Sequence, residues 1–194
     1  MNDMSSQIDD IFVDHVDHSI GGFSGHAFRR LTHISMVVVP FLYYVHGDRI
    51  SSWFSLEPTQ FVSCFCFLIL AIEFVRLKTG IVIVGQRAYE SNQISALAWG
   101  TIGVALALLI APEGNGPGIE SGIYGIPLIL GMTIVDPLMG EVKRLKRDLN
   151  MAISLGIFVS YTIWLSCYFW IGTDFIVAVL LAPLTVLGEL TSSK

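Results

Sequence analysis

The segment LILGMTIVDPLMGEVKRLKRD, residues 128–148, decides how this chain is read. It begins as an almost wholly apolar run, meets a carboxylate and a proline at Asp136 and Pro137, and ends in Lys143, Arg144, Lys146 and Arg147. Such a run fits a bilayer crossing, which takes roughly 20 apolar residues. Pro137 cannot donate to the carbonyl one turn earlier, so the helix is expected to kink or break at the Asp136-Pro137 step. The pair also suits a helix start, with Asp136 as cap and Pro137 in the first turn. Free backbone N–H groups would then point into a polar cavity and suit an anion such as phosphate. Asp136 and Glu141 are hard oxygen ligands suited to Mg²⁺, and Lys143 and Arg144, with the basic residues after them, would neutralise further phosphate charge. A proline-kinked helix followed by an ordinary basic loop is the competing explanation. It leaves Asp136 without a reason to sit beside an apolar run.

Outward from this segment the chain keeps the same character. Of its 194 residues 53% are hydrophobic and 14% charged, and the mean hydropathy is +0.67, outside the usual soluble composition. Apolar runs long enough to cross lie at about 31–46, 60–76, 94–112, 123–141, 150–171 and 174–190. The expected fold is therefore all-α: a polytopic membrane protein, a bundle of about six transmembrane helices with a broken helix at Asp136-Pro137. The stretch 80–93 is too short and polar to cross and is expected as a re-entrant or surface element. An even number of crossings puts both termini on one side. That side carries ten of the eleven Lys and Arg, against Arg49 alone on the other, so both termini are expected in the cytoplasm. Residues 1–25 hold five Asp and neither Lys nor Arg, and read as a polar acidic tail; residues 26–191 read as a single transmembrane domain. Cys64, Cys66 and Cys167 fall inside apolar runs, which argues against a disulfide framework or zinc site.

Ionisable groups in or next to a crossing cost about 2.5–3.5 kcal/mol each on insertion scales, so each needs a purpose. In HAFRRLTHIS (26–35), spacings of three and four bring His33 over Arg29 and Arg30 on one helix face. Snorkelling anchors would explain the arginines but not the deeper His33. Glu73 and Arg76 stand three apart at the end of the second run, as an ion pair or as site residues. In QRAYESNQIS (86–95), Arg87 and Glu90 repeat that spacing, and Ser95 adds a hydrogen-bonding group at the start of the third run.

Four elements in this order, RRLTH (29–33), EFVR (73–76), QRAYESNQIS (86–95) and LILGMTIVDPLMGEV (128–142), resemble the CTP-dependent prenol kinases: dolichol kinase, phytol kinase and related polyprenol kinases. The resemblance runs from about residue 26 to residue 190. Family members follow the Asp-Pro element with a Gly-rich stretch, where this chain has KRLKRDLNMAISLG (143–156), keeping Gly156 and the basic cluster. What the resemblance implies is transfer of a γ-phosphoryl group from CTP, with Mg²⁺, to the hydroxyl of a long isoprenoid alcohol in the bilayer, on the cytoplasmic side. Partners would be the lipid bilayer, the alcohol and a nucleoside triphosphate, with no nucleic acid polymer. Asp136 would hold the metal with Glu141 as a second ligand. His33 and Glu73 both stand as candidates to activate the hydroxyl. Arg29, Arg30, Arg76, Arg87, Glu90, Ser95, Pro137, Gly140, Lys143 and Arg144 would bind or orient substrate and nucleotide. Two other readings use the same residues: a cytidylyltransferase forming a CDP-lipid, and a small transporter or non-catalytic membrane subunit.

Overall fold

Local signals in the sequence set the helix ends. The computed structural model describes residues 19–192, mainly helical with no strand among them. The helices are α1 (Gly22–Ser35), α2 (Val38–Ser52), α3 (Pro58–Thr79), α4 (Ala96–Ile110), α5 (Gly125–Leu130), α6 (Asp136–Lys146), α7 (Leu149–Ile171) and α8 (Phe175–Ser192). Glu57 and Gln60 form a capping box ahead of α3, with Pro58 in its first turn. Ser95 caps α4 by accepting from the Ala98 N–H at 3.2 Å, and Asp148 caps α7 by accepting from Met151 at 3.0 Å. Gly80 and Gly172 end α3 and α7 at φ of 67° and 79°, a conformation other residues resist.

In α3 the usual distribution of side chains is inverted. Its buried residues are Glu73 and Arg76, while Phe65, Phe67, Leu68, Ile72, Phe74 and Val75 are all more than half exposed. A helix in water would hide the phenylalanines and wet the charges; this pattern suits an apolar solvent. Among the described residues three helices are long and apolar enough to cross a membrane: Pro58–Thr79, Gly125–Lys146 and Leu149–Ile171. Ala96–Ile110 and Phe175–Gly188 are apolar but shorter. The stretch expected to cross at 31–46 is divided at Met36–Val37 between α1 and α2. Residues 80–93 cross nothing and hold one 3₁₀ turn, Ala88–Asn92. Of the acidic tail expected over 1–25, residues 1–18 lie outside the described residues, and α1 has begun by Gly22.

The helix Gly125–Lys146 is the central pillar, with Ile126, Ile129, Val135 and Met139 fully buried. It is not broken. The backbone runs through Val135 and Asp136 in right-handed helical geometry, so Asp136 is not an N-cap and no free helix N-terminus opens there. The irregularity expected at Pro137 lies one turn earlier, where Gly131–Val135 widens into a π-turn with i→i+5 bonding. The physical reason is the proline. In that register the Met132 carbonyl faces residue 137, which has no N–H to give, and the wider turn spares a clash with the ring. The π-turn touches α1, α7 and α8 and so sits at the centre of the bundle.

At the far end of the pillar, Tyr44 of α2 lies against Gly122 and Gly125, and a Cβ on Gly125 would land on its hydroxyl. That hydroxyl is buried without a partner. Gly125→Ala is expected to destabilise the protein by about 1–3 kcal/mol through overpacking. Tyr44→Phe, which removes only the unpaired group, is expected to be neutral or stabilising. Thermal unfolding in detergent checks both, and equal losses would contradict the packing described.

Candidate functional site

On α1, His26, Arg29, Arg30 and His33 recur at i, i+3, i+4 and i+7 and so share a face, which packs against the π-turn and α6. His33 donates from Nε2 to the Met132 carbonyl at 3.0 Å, the acceptor that Pro137 leaves unserved. The same nitrogen lies 3.5 Å from Asp136 Oδ2. His26 is buried, with Nε2 3.5 Å from Glu141 Oε2. Arg30 crosses α6 at Gly140, where a Cβ would come within 2.6 Å of its Nη2, and it feels the charges of both Asp136 and Glu141. Gly140 is there to let the guanidinium through.

Burial pushes His26 below the ordinary histidine range, and the neighbouring Arg30 cation pushes the same way, against the opposing pull of Glu141. Burial also lowers Arg30, despite Asp136 and Glu141, though arginine keeps its charge. Arg29 pairs with Glu90 across to the 80–93 loop. Arg87 pairs through its guanidinium with the Tyr89 hydroxyl and lies 5.7 Å from that ring's centre. The Nε atoms of Arg30 and Arg87 are buried without partners, as is Glu90 Oε2.

Glu73 and Arg76 belong to a different construction. Arg76 donates to both Glu73 oxygens at 2.9 and 2.8 Å, and also to the carbonyls of Ile81, Glu90 and Gln93 at 3.2, 2.7 and 2.7 Å. Glu73 accepts from the Ser95 N–H at 2.6 Å and hydroxyl at 3.1 Å. This knot ties the end of α3 to the loop and to the start of α4. Glu73 has no oxygen left to act as a base and does not contact His33 or Asp136; Arg76 and Ser95 are likewise structural.

Asp136 is the carboxylate best placed to hold a cation: its side chain is 41% exposed and its contact is His33. Mg²⁺ commonly takes one or two carboxylates together with substrate phosphates and water, and Asp136 could supply one such carboxylate. Glu141 does not join it. Five residues along the helix turn it about 140° away, and Arg144 pairs with it through two nitrogens while His26 approaches the other oxygen. Among the described residues no three or more His, Cys, Asp or Glu side chains converge as a metal site. Lys143 is buried and Pro137 lies within the pillar.

Two cavities lie next to each other on the Arg29, His33 and Glu90 side of this cluster. An apolar groove of about 470 Å³ runs between α1–α2, α3 and α4, from Thr32 to Pro58. A smaller pocket of about 70 Å³ is lined by Arg29, His33 and Glu90 together with the loop residues Ile83–Gln86. Thr32, Met36 and Leu97 line both. An apolar groove and a charged pocket thus lie side by side, sharing one wall.

His26 was not singled out in the sequence, although its three- and four-residue spacing to Arg29 and Arg30 was the available signal. The groove had no signal, because three separate helices build it. No family model, curated protein or solved structure matches the chain.

His33→Ala is expected to cost about 1–3 kcal/mol by orphaning the Met132 carbonyl, and to cost less in a Pro137→Ala background, where residue 137 regains an N–H. A double-mutant cycle of thermal unfolding reads this coupling; strict additivity would contradict it. Because His26 binds a proton less readily in the fold than in the unfolded chain, its stabilisation is complete above the ordinary value of 6.5 and declines as pH falls below it. Unfolding temperatures measured between about pH 7.5 and 5.5 should therefore fall less steeply in His26→Gln than in the wild type. Parallel slopes would show that His26 takes no part.

Proposed function

We propose that this protein is a membrane-embedded lipid kinase that transfers the γ-phosphoryl group of a nucleoside triphosphate, CTP in the family it resembles, to the hydroxyl of a long isoprenoid alcohol. The observation that carries the reading is the junction of the apolar groove with the pocket of Arg29, His33 and Glu90, one helix face from Asp136 and Arg30. The groove would hold the isoprenoid tail in the bilayer. The pocket would bring its hydroxyl to the boundary where a soluble nucleotide arrives.

On this reading the chain crosses the bilayer six times with both termini in the cytoplasm. Two features support that topology: the ten-to-one division of Lys and Arg, and the exposed Trp53, Phe54, Phe169 and Trp170 at helix ends distant in sequence from the ion-paired residues. A transporter would line a polar path to both faces, yet every ion pair described above lies at one end.

Phosphoryl transfer depends mainly on positioning and charge neutralisation, with little covalent work for the protein. Arg30, desolvated against Gly140, would meet phosphate oxygens, with Arg29 and Arg87 adding positive charge beside it. Asp136 would be the residue to hold Mg²⁺, which when bound would supply positive charge to the nucleotide phosphates. His33 keeps its Nε2 proton on the Met132 carbonyl, which leaves Nδ1 as the nitrogen able to accept a proton from the hydroxyl. Asp136 beside the ring would stabilise the imidazolium so formed.

Purified protein given Mg²⁺, a labelled nucleoside triphosphate and prenols of several lengths is expected to form a lipid-extractable phosphate and release the diphosphate. Asp136→Ala is expected to abolish this without preventing insertion. Release of pyrophosphate with a CDP-lipid product would replace the kinase by a cytidylyltransferase. Full activity in Asp136→Ala would refute the role given to that carboxylate.

A further inference from the structure

Glu90 is only 3% exposed, yet one of its carboxylate oxygens is unused. Oε1 is taken by Arg29, while Oε2 is buried and has no hydrogen-bond donor. A buried carboxylate oxygen without a donor is expensive. It persists where the surroundings fix it in place, and Glu90 is fixed at every other point. Its carbonyl accepts from Arg76 at 2.7 Å, its N–H donates to the Arg87 carbonyl at 2.9 Å, and Arg76 is itself locked by Glu73. The Glu73–Arg76 knot therefore holds Glu90 against the small pocket. Glu90 forms part of that pocket's wall, and Thr32, Met36 and Leu97 join the pocket to the apolar groove.

The pocket's other polar side chains do not supply the missing donor. Arg29 is turned to Oε1, His33 directs Nε2 to the Met132 carbonyl and Asp136, Thr32 donates to the Phe28 carbonyl, and Gln86 Oε1 accepts from the Ile83 N–H. What the site lacks is one hydrogen-bond donor at the end of an apolar channel. We infer that Glu90 is the residue that receives the head group of the groove's occupant on binding, its Oε2 accepting a hydrogen bond from a terminal hydroxyl, whose single proton leaves that bond for His33 Nδ1 only at transfer. This deepens the kinase reading and rests on it for the identity of the occupant as an alcohol. The contact itself requires only a long apolar chain ending in a donor.

The assignment separates ligands by one atom. A long-chain alcohol can donate to Oε2. Its methyl ether has the same chain and cannot, and the fatty acid would set one anion against another.

The test is binding of geranylgeraniol and of geranylgeranyl methyl ether to the full chain in lipid nanodiscs, by competition against a fluorescent prenol analogue. The wild type is expected to prefer the alcohol by about tenfold or more, the ratio for a hydrogen bond to a charged group. Glu90→Ala is expected to bring that ratio close to one. A variant that merely loosened the pocket would weaken both ligands together and leave the ratio unchanged. Should Glu90→Ala fail to fold, the ratio in the wild type decides: equal binding of alcohol and ether overturns the assignment. Preference for the alcohol without phosphoryl transfer would sustain the Glu90 contact and remove the kinase reading. Transfer without preference would do the reverse, and binding of neither ligand overturns both.

Discussion

One backbone oxygen organises this molecule. Pro137 cannot serve the Met132 carbonyl, and an unpaired carbonyl in an apolar interior costs several kcal/mol when no water can reach it. The chain answers with a π-turn at Gly131–Val135 and with His33, brought across from α1 to donate at 3.0 Å. That bond fixes where α1 lies against the pillar. It also fixes the register of the α1 face, so that Arg30 falls on Gly140, His26 on Glu141 and His33 beside Asp136. The polar site is in this sense a consequence of helix repair.

A second polar knot works with the first. Arg76, spread over Glu73 and three carbonyls, gives the 80–93 loop a rigid floor although the loop has almost no regular structure. From that floor Glu90 reaches Arg29, and Ser19 pairs with Arg87. The small pocket lies between the two knots, walled by His33 and its neighbours on α1, by the loop residues Ile83–Gln86 and Glu90, and by Ala96 and Leu97 of α4. α4 packs closely here, with Gly100 toward Met36 and Gly103 toward Met132, small residues against flexible ones.

Much of this could be read from the sequence, for reasons of scale. Helices about twenty residues long leave long apolar runs, and the pairing of Glu73 with Arg76 follows from a three-residue spacing. Arg29, Arg30 and His33 fall together because a helix repeats every 3.6 residues. Asp136 and Pro137 marked the irregular place. What the residues could not tell was how the irregularity is resolved, since a break, a kink and a π-turn differ only in which tertiary partner takes the spare carbonyl. The same limit hid the satisfied state of Glu73, whose second pair of donors comes from Ser95, twenty-two residues away. It also hid the position of Glu141, which stands near Asp136 in sequence but on another side of the helix. Local spacing shows which groups share a face; only packing shows what that face meets.

The central proposal is that the groove between α2, α3 and α4 holds an amphiphile whose head lies in the pocket of Arg29, His33 and Glu90. Photocrosslinking with an isoprenoid alcohol carrying a diazirine at the tail end, followed by mass mapping of adducts, tests it most directly. The account predicts labelling deep in the groove, at residues such as Phe61, Val62 and Leu108, with competition by unlabelled alcohol. Adducts scattered over the outer faces of α7 and α8, uncompeted, would contradict it.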